Sequence, residues 1–379
     1  MRANYIFLDS TQDYPFEYSA GNTKVEILSQ GLLHFGRKVY IINPMWGYNK
    51  IEKEIHGKNA GILYGIYPQK GLLGRLYNLV KILILLFRLR KEYKYTILTS
   101  NHFIIYIIEC IWMKILGYKI GVLYHELRYT TLQNPSKYTL YSTKAFDRYF
   151  GYFCDFILPI SHFLKNRCEK YKKPMLMTPV LSATNENSVV DIIREQFTYC
   201  GSAAYKRIID FILDAYDIYS KKGNANLVLV LSGNQNDIQK IQEQIEINGL
   251  GEKVSIKQGL PYSDLLKLYS ESLALLIPLD ASNLQDIARF SQKIAEYTST
   301  GRPIITNRVG EVPYYFDSNS AFIINELDVN ELAFLFDKIM QNKSHATEIG
   351  QKGHAIFQKH FNNVKYVHRL LDFISDNYE

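Results

Sequence analysis

The segment Arg289–Asn307 carries the side chains whose types and spacing are best suited to chemistry. It reads RFSQKIAEYTSTGRPIITN, which is typical of a helix, a tight turn and a buried strand. Ser291, Gln292 and Lys293 fall where this helix would begin, and the amide groups and positive dipole end there favour an anion such as a diphosphate. Glu296 follows Lys293 by three residues, so both side chains can share one helix face. A cation near phosphate and a carboxylate near sugar hydroxyls predict a nucleotide-sugar pocket.

Alternating strand and helix patterns surround this segment and indicate the framework that would position it. The strands are short apolar runs without clean alternation, as expected when both faces of a parallel sheet are covered. This rhythm runs from Tyr5–Leu8 to Met175–Val180 and restarts at Gln196. The sequence therefore predicts an α/β fold with two Rossmann-like, doubly wound parallel-sheet domains facing a central cleft, where such sheets bind ligands.

The length of 379 residues also favours two domains over one. The polar stretch Leu181–Glu195 interrupts the rhythm and is the expected linker. We therefore expect an acceptor-binding domain over residues 1–185 and a nucleotide-sugar-binding domain over residues 186–363. A last amphipathic helix, residues 364–379, is expected to pack back toward the first domain.

Charge is distributed unevenly between the two halves. Residues 1–185 hold 25 lysines and arginines against 12 aspartates and glutamates, a net charge of +13, whereas residues 186–379 hold 19 against 25. A basic half fits phosphates, anionic lipid or nucleic acid. Nucleic acid is not expected, because no segment shows basic-aromatic interleaving or zinc-finger spacing. The apolar, cation-bearing helix Leu72–Lys91 fits either a core helix with a basic exposed side or a surface helix docking onto anionic lipid.

Several other classes of protein and site are not expected. The four cysteines are scattered without a CxxC pair, so they are interpreted as reduced core thiols. The N-terminus lacks the long apolar core of a signal peptide, and no run of about 18 apolar residues predicts a membrane span. No DxD motif and no His/Cys cluster suggest a metal. We expect a cytoplasmic protein with no metal and no cofactor.

Taken in order, several segments resemble the GT-B glycosyltransferases, specifically bacterial family 4 (group 1) members of surface polysaccharide synthesis. The likeness covers nearly the whole chain. It includes an opening glycine loop and helix, a strand that ends in His125, a strand-serine-helix unit, the start of a second domain and a donor-binding helix. These segments are Gly21–Asn43, Val122–Glu126, Phe156–Cys168, Phe197–Tyr216, Leu227–Asn234, Arg289–Asn307 and Val309–Phe316.

The resemblance implies transfer of a sugar from a nucleotide diphosphate sugar, expected to be a UDP-sugar, to a glycan or lipid-linked acceptor. Retention of configuration without a metal is implied, and a lipid-linked acceptor implies peripheral contact with an anionic membrane, at its inner face. His125 would hydrogen-bond the donor sugar, Glu126 would orient it or serve as base if the reaction inverts, and Lys206 would stabilise the leaving diphosphate. The donor and acceptor would be held by Gly21, Asn22, Gly201, Ser202, Lys206, Gly233, Arg289, Ser291, Gln292, Lys293 and Glu296.

The chain departs from the family pattern at two positions. Ala288 stands where the family often has the first of two glutamates, and Ser202 stands where it has an arginine. Arg207 or Arg289 could supply the lost charge. Two alternatives on the same fold therefore stay open: a nucleotide-sugar epimerase, and a non-catalytic subunit that binds glycan or activates a partner. A third, generic binding of nucleic acid by the basic half, would be shallow and salt-sensitive.

The candidate residues also have plain structural interpretations. Lys206 and Lys293 could be solvated lysines at helix starts, and Glu296 a solvated carboxylate. Asn22 could simply cap a helix. A turn alone would account for Gly233.

Overall fold

The computed structural model describes two compact α/β units. One unit comprises Met1–Leu181 with Asn363–Glu379, and the other comprises Ser182–Asn362. Each is built on a largely parallel sheet, so the predicted α/β fold with two parallel-sheet domains is confirmed. The described residues are 4–8, 20–43, 54–57, 61–65, 71–99, 102–130, 132, 134–183 and 193–379.

The first unit contains a seven-stranded sheet and the helices that connect its strands. The strands are β1 (Asn4–Leu8), β2 (Val39–Asn43), β3 (Glu54–Gly57), β4 (Gly61–Gly65), β5 (Tyr93–Leu98), β6 (Lys119–Tyr124) and β7 (Phe156–Pro159). Their spatial order is β3-β4-β2-β1-β5-β6-β7, parallel except that β3 runs antiparallel to β4. The helices are α1 (Ala20–His34), α2 (Gly71–Leu89), α3 (Phe103–Ile115), α4 (Lys137–Tyr149) and α5 (His162–Cys168).

The second unit contains a six-stranded sheet in which every pairing is parallel. The strands are β8 (Gln196–Ser202), β9 (Asn226–Ser232), β10 (Val254–Lys257), β11 (Ala274–Ile277), β12 (Ile304–Asn307) and β13 (Phe322–Ile324), in the order β10-β9-β8-β11-β12-β13. The helices are α6 (Lys206–Ser220), α7 (Gln235–Ile247), α8 (Tyr262–Ser270), α9 (Leu284–Ala288), α10 (Gln292–Ser299), α11 (Val312–Tyr315), α12 (Val329–Gln341) and α13 (Lys343–Ile356).

Helical periodicity explains how the second unit covers its sheet. In α6, Ile208, Ile212, Tyr216 and Tyr219 recur every three or four residues and are all buried. They pack in one core with the buried strand residues of β8 and β9. Burying apolar side chains of this size contributes about 1.5–3 kcal/mol each before the entropy cost of ordering them. The same helix begins at the carboxyl end of β8, which fixes where its first residues lie.

The last helix, α14 (Asn363–Tyr378), belongs to the first unit although it follows the second unit in sequence. Its buried residues Tyr366, Val367 and Leu370 join the core formed by the sheet and α1. Gly31 of α1 allows the close approach, since a Cβ there would lie 2.5 Å from Cγ2 of Val367.

The segment Met175–Val180 was predicted as a strand, and this prediction is wrong. It forms a single isolated bridge, between Met175 and Ile157. Pro174, just before the segment, and Pro179, within it, have no amide hydrogen to donate to a ladder. The strand β3 was not predicted at all.

Two further sequence predictions concern the linker and the cysteines. Residues 184–192 of the predicted linker lie outside the described part of the chain. All four cysteines are free thiols, as predicted, and three of them are buried.

We expect Gly31→Ala to destabilise the first unit by about 1–3 kcal/mol, because the added methyl forces α14 away from α1. Thermal unfolding followed by circular dichroism would measure it. Gly251→Ala is the matched control, since a Cβ at Gly251 meets nothing within 4 Å. Equal melting temperatures for both variants would contradict the proposed packing.

Candidate functional site

The carboxyl edge of the second sheet forms a recess with about 370 Å³ of empty space. Its walls come from the ends of β8 and β11, the start of α6, and the segment that joins α9 to α10. Four residues predicted to bind the donor line it, namely Gly201, Arg289, Ser291 and Lys293. Carboxyl edges of parallel sheets are the usual ligand sites of such folds. The remaining lining residues are Tyr199, Cys200, Tyr205, Ile208, Ile277, Pro278, Leu279 and Asp286.

Arg289 is held in this recess by two neighbours. Its Nη2 donates to the Tyr205 hydroxyl at 2.5 Å and to Oδ1 of Asp286 at 3.3 Å. Asp286 is in turn fixed, because its Oδ2 accepts from the backbone N–H of Asp280 at 3.0 Å. Burial alone would lower the pKa of Arg289, but Tyr205 and Asp286 raise it above its ordinary value. The recess therefore holds a permanently cationic, oriented guanidinium.

The amino end of α10 opens at the same recess. Ser291 is its N-cap residue, and within the described part of the chain its hydroxyl makes no capping bond to the helix. The first intrahelical bond runs from the N–H of Ile294 to the carbonyl of Ser291 at 3.1 Å. Ser291 and Lys293 both line the recess, so the amino end of α10, where a helix favours an anion, lies at its wall.

Gln292 and Glu296 lie on the buried side of the same helix, with exposed fractions of 8% and 3%. Burial raises the pKa of the Cys200 thiol, Lys293 lowers it and Glu296 raises it. Lys293 and Glu296 thus both act on Cys200, at the end of β8. In the described part of the chain, Gln292 and Glu296 do not contribute to the lining of the recess.

Three other predicted residues lie at neighbouring positions on the same sheet edge. Ser202 is the last residue of β8, and Gly233 directly follows the neighbouring strand β9. A Cβ at Gly233 would lie 3.4 Å from the Ser202 hydroxyl. Lys206 is the first residue of α6, and its Nζ contacts both carboxylate oxygens of Asp210 at 2.7 Å. Its side chain is 66% exposed, so this ion pair is weakly held and open to exchange with another anion.

A second, wider groove on this edge contains Arg207. Its Nη1 contacts both oxygens of Asp280 at 2.9 Å and the Ser282 hydroxyl at 2.7 Å. The groove has about 1160 Å³ of empty space and is also lined by polar residues such as Asn307 and Asp328. Of the two arginines that could replace the charge missing at Ser202, the structure places Arg289 in the recess and Arg207 in this groove.

His125 follows β6 in the first unit and is neutral at physiological pH. Burial and, to a smaller extent, the charge of Lys24 lower its pKa to about 4, against the opposing effect of Glu126. Its Nδ1 lies 3.2 Å from the carbonyl oxygen of Leu123, which can only accept, so the neutral ring carries its hydrogen on Nδ1. Nε2 is then an acceptor, 3.9 Å from Oε1 of Glu126. His125 can accept a hydrogen bond from a hydroxyl group but cannot act as a cation.

Gly21 and Asn22 were predicted to form a loop before α1. The helix begins at Ala20, so both residues lie in its first turn. A glycine and an asparagine are poor helix formers, which explains the later start predicted from the sequence. Their side chains lie outside the described part of the chain.

Sequence reasoning missed Tyr205, Asp286 and Asn307. Asp286 precedes Arg289 by three residues, a helical spacing that could have suggested the pair. Asn307 clamps the loop after β11, accepting from the N–H of Leu279 at 2.9 Å and donating to its carbonyl at 2.7 Å. Asn307 could have been identified from the sequence because it is a polar residue at the end of an apolar, buried strand. Tyr205 is 84 residues from Arg289, and no local sequence pattern predicts a contact over that separation.

Comparison with known protein families matches one model. Residues 189–375 match the family described as glycosyl transferases group 1, and this range covers nearly all of the second unit and most of α14. The comparison with curated proteins finds no match.

Solved structures resemble the chain over almost its entire length. A sucrose-phosphate synthase from Thermosynechococcus elongatus has a TM-score of 0.74 at 15% identity, covering 98% of this chain and 99% of its own. Anabaena HepE in complex with UDP-glucose has a TM-score of 0.70 at 13% identity, covering 98% and 99%. The apo form of WaaB, a lipopolysaccharide outer core galactosyltransferase, has a TM-score of 0.62 at 12% identity, with the same coverage. At these identities the likeness shows the fold, which is that of GT-B proteins.

The low pKa of His125 predicts a loss of stability in acid. Below its ordinary pKa of 6.5 the unfolded chain takes up a proton at this ring, whereas the folded chain does not until about pH 4. The free energy of unfolding should therefore fall as the pH drops from 6.5 to 4, by about 3 kcal/mol at most. Urea unfolding at pH 7, 5.5 and 4.5 would measure it, with His125→Asn as the comparison. A variant that loses as much stability as the parent protein would refute the assignment.

Proposed function

We propose that this chain, whose residues 189–375 match the group 1 glycosyl transferases, moves a sugar from a UDP-sugar to a glycan or lipid-linked acceptor. UDP is proposed because the HepE structures hold UDP and UDP-glucose. The lipid-linked acceptor is proposed because WaaB is a galactosyltransferase of lipopolysaccharide. A role in polysaccharide biosynthesis follows from this choice of acceptor.

The recess at the carboxyl edge of the second sheet is the observation that supports this proposal. It combines a fixed arginine, a lysine and the amino end of a helix within one small volume. A diphosphate carries its charge on oxygens that accept hydrogen bonds, and charge-assisted bonds of this kind are the strong ones. Because the groups are already oriented, they would stabilise the charge that develops on the leaving UDP without further reorganisation.

We assign the donor roles on the second unit as follows. Arg289, Lys293 and the amides after Ser291 would bind the diphosphate. Glu296, which lies outside the lining of the recess, would have to become accessible to accept hydrogen bonds from the ribose hydroxyls, and Lys206 would release Asp210 to contact the departing phosphate. Gly201, Ser202 and Gly233 would shape the surface against which the donor lies, and the buried Gln292 would support the first turn of α10 behind it.

In the first unit, we propose that His125 and Glu126 act on the reacting sugar. The neutral imidazole suits a hydrogen bond accepted from a sugar hydroxyl, since its Nε2 has no proton to give. Glu126 would orient the sugar. Gly21 and Asn22, in the first turn of α1, would contact the acceptor. We propose retention of configuration without a metal, with the leaving diphosphate neutralised by cationic side chains and a helix end.

The other functions considered from the sequence are less well supported. The family match and the enzymes among the structural neighbours do not favour an epimerase or a non-catalytic subunit. The protein would act in the cytoplasm, at the inner face of a membrane if its acceptor is lipid-linked.

The reaction can be tested by detecting UDP released from a panel of UDP-sugars, with and without short glycan and lipid-linked acceptors. Acceptor-dependent release, with a new glycosidic product seen by mass spectrometry, is the expected result. Tight binding of UDP-sugars with no turnover on any acceptor would instead support the non-catalytic subunit.

We expect Arg289→Gln to weaken UDP binding about tenfold, because it removes a charge-assisted contact to the diphosphate. Isothermal titration calorimetry would measure the affinity. Arg207→Gln is the matched control, since Arg207 lies in the neighbouring groove and pairs with Asp280. If Arg207→Gln weakened UDP binding more than Arg289→Gln, the diphosphate would have to be placed in the wider groove.

We expect Lys206→Met to lower kcat at least tenfold while changing the affinity for the UDP-sugar much less, since its contact would form as charge develops. Lys221→Met is the control, because Lys221 makes the same kind of ion pair with Asp217, at 2.8 Å, after the end of the same helix. Steady-state kinetics would separate the two effects. Turnover within twofold of the parent enzyme would remove Lys206 from the catalytic group.

A further inference from the structure

Two neighbouring helices of the first unit present apolar side chains to solvent. On α2 these residues are spaced three or four apart, apart from one adjacent pair, and form a stripe along the outer face. They are Leu73, Leu76, Tyr77, Val80, Ile84 and Phe87, each between 46% and 82% exposed. On α3 the stripe consists of Ile104, Ile108, Ile111 and Ile115, between 39% and 70% exposed.

The opposite faces of both helices are buried, so these stripes are not needed for the core. Ile82 and Leu86 of α2 are buried, as are Tyr106 and Met113 of α3. The two helices contact each other directly, because Nε1 of Trp112 donates to the carbonyl oxygen of Leu83 at 2.9 Å. Their outer stripes therefore lie on neighbouring helices, and we call the two stripes together the α2–α3 face.

Tyrosines flank this face on the next helix. The N–H of Phe103, at the start of α3, donates to the Ser142 hydroxyl of α4 at 2.9 Å, so α4 lies beside α3. Tyr138, Tyr141 and Tyr149 are 52%, 73% and 40% exposed. Tyrosine has an apolar ring and a polar tip, and it is enriched where lipid meets water.

The charge on these three helices has one sign at the surface. They hold seven lysines and arginines, which are Arg75, Lys81, Arg88, Lys114, Lys137, Lys144 and Arg148. Their two carboxylates, Glu109 and Asp147, are 0% and 9% exposed. Asp147 is also paired with Arg167 of α5. A surface of this kind is complementary to anionic lipid headgroups and would repel other basic surfaces.

From this combination we propose that the α2–α3 face docks flat onto an anionic lipid bilayer, with its isoleucines and leucines inserted below the headgroups. Exposed apolar patches of this extent are unusual on monomeric proteins and mark interaction sites. Among the described residues, no helix is both long enough and apolar enough to cross a membrane. An interfacial position therefore fits the two stripes, with the cations of the same helices near the phosphates.

Lipid is favoured over a second copy of the chain by charge. Two copies meeting through this face would bring together cations of both units, such as Arg88 and Lys114, whereas an anionic bilayer neutralises them. The role of docking rests on the proposed function, because docking serves the reaction if the acceptor is lipid-linked. Docking would hold the first unit at the surface where such an acceptor lies.

Vesicle flotation with purified full-length protein tests the proposal. We expect at least tenfold more protein to float with vesicles of phosphatidylcholine and 30% phosphatidylglycerol than with phosphatidylcholine alone. The variant Ile111→Glu/Ile115→Glu should reduce flotation at least tenfold. The matched control is Ile247→Glu/Phe334→Glu, at positions 84% and 64% exposed on the second unit, which should float like the parent protein.

Trp112, at the contact of α2 and α3, reports insertion directly. In a Trp46→Phe background it is the remaining tryptophan of the two in the chain. Brominated acyl chains in the anionic vesicles should quench its fluorescence by a third or more, and the Ile111→Glu/Ile115→Glu change should abolish the quenching. Flotation without quenching would show electrostatic adsorption alone and would overturn insertion.

Two outcomes would overturn the docking proposal itself. One is equal flotation of the two double variants, provided that both keep the parent melting temperature. The other is a dimer, seen by light scattering without lipid, that Ile111→Glu/Ile115→Glu dissociates, since the face would then be covered by a second copy. UDP binding and UDP release from soluble donors do not involve this face. If the parent protein neither bound UDP nor released it from soluble donors, the proposed transfer would be refuted. If the parent protein did both but failed to float with vesicles, only the docking would be refuted.

Discussion

The fixed position of the Arg289 guanidinium is the interaction on which the candidate donor site depends. One side chain ties the end of α9 to Tyr205, which precedes α6, and to the carboxylate of Asp286. The segment between α9 and α10 is thereby held against the end of β8. Without this restraint, the segment between α9 and α10 would lose its tie to the start of α6, and one wall of the recess would be loosened. The body of α10 is held separately, since the Tyr297 hydroxyl accepts from the N–H of Cys200 at 3.0 Å. Arg289 therefore stabilises the wall of the recess, and it is also the proposed anion-binding group.

Much of the second unit could be predicted from the sequence, because its elements are short, strongly periodic and bounded by turn residues. The predicted restart of the strand–helix rhythm at Gln196 coincides with the first residue of β8. The prediction of a strand over Met175–Val180 was wrong because it gave the apolar side chains more weight than Pro174, just before the segment, and Pro179, within it. Contacts such as Tyr205 with Arg289 depend on how distant segments pack, and a single sequence carries no record of that. The residue types of the candidate site could be predicted from the sequence. Their division between the recess and the neighbouring groove could not.

The two units differ in surface chemistry in a way that suits separate tasks. The second unit concentrates polar and charged groups at one sheet edge, where a charged nucleotide could bind. The first places its apolar excess on α2 and α3, while His125 is kept neutral by burial. A neutral imidazole adds no charge beside a sugar, so recognition there would rest on hydrogen bonding.

The position of α14 has a consequence for how the protein is made. Core side chains of the first unit, among them Tyr366 and Ile374, are translated only after the entire second unit. The opening 181 residues therefore leave the ribosome with an uncovered apolar surface, whereas residues 182–362 can already close around their own sheet. The first unit can therefore complete its core only after the second unit has been synthesised. The first unit is exposed to chaperones and aggregation until the final helix emerges.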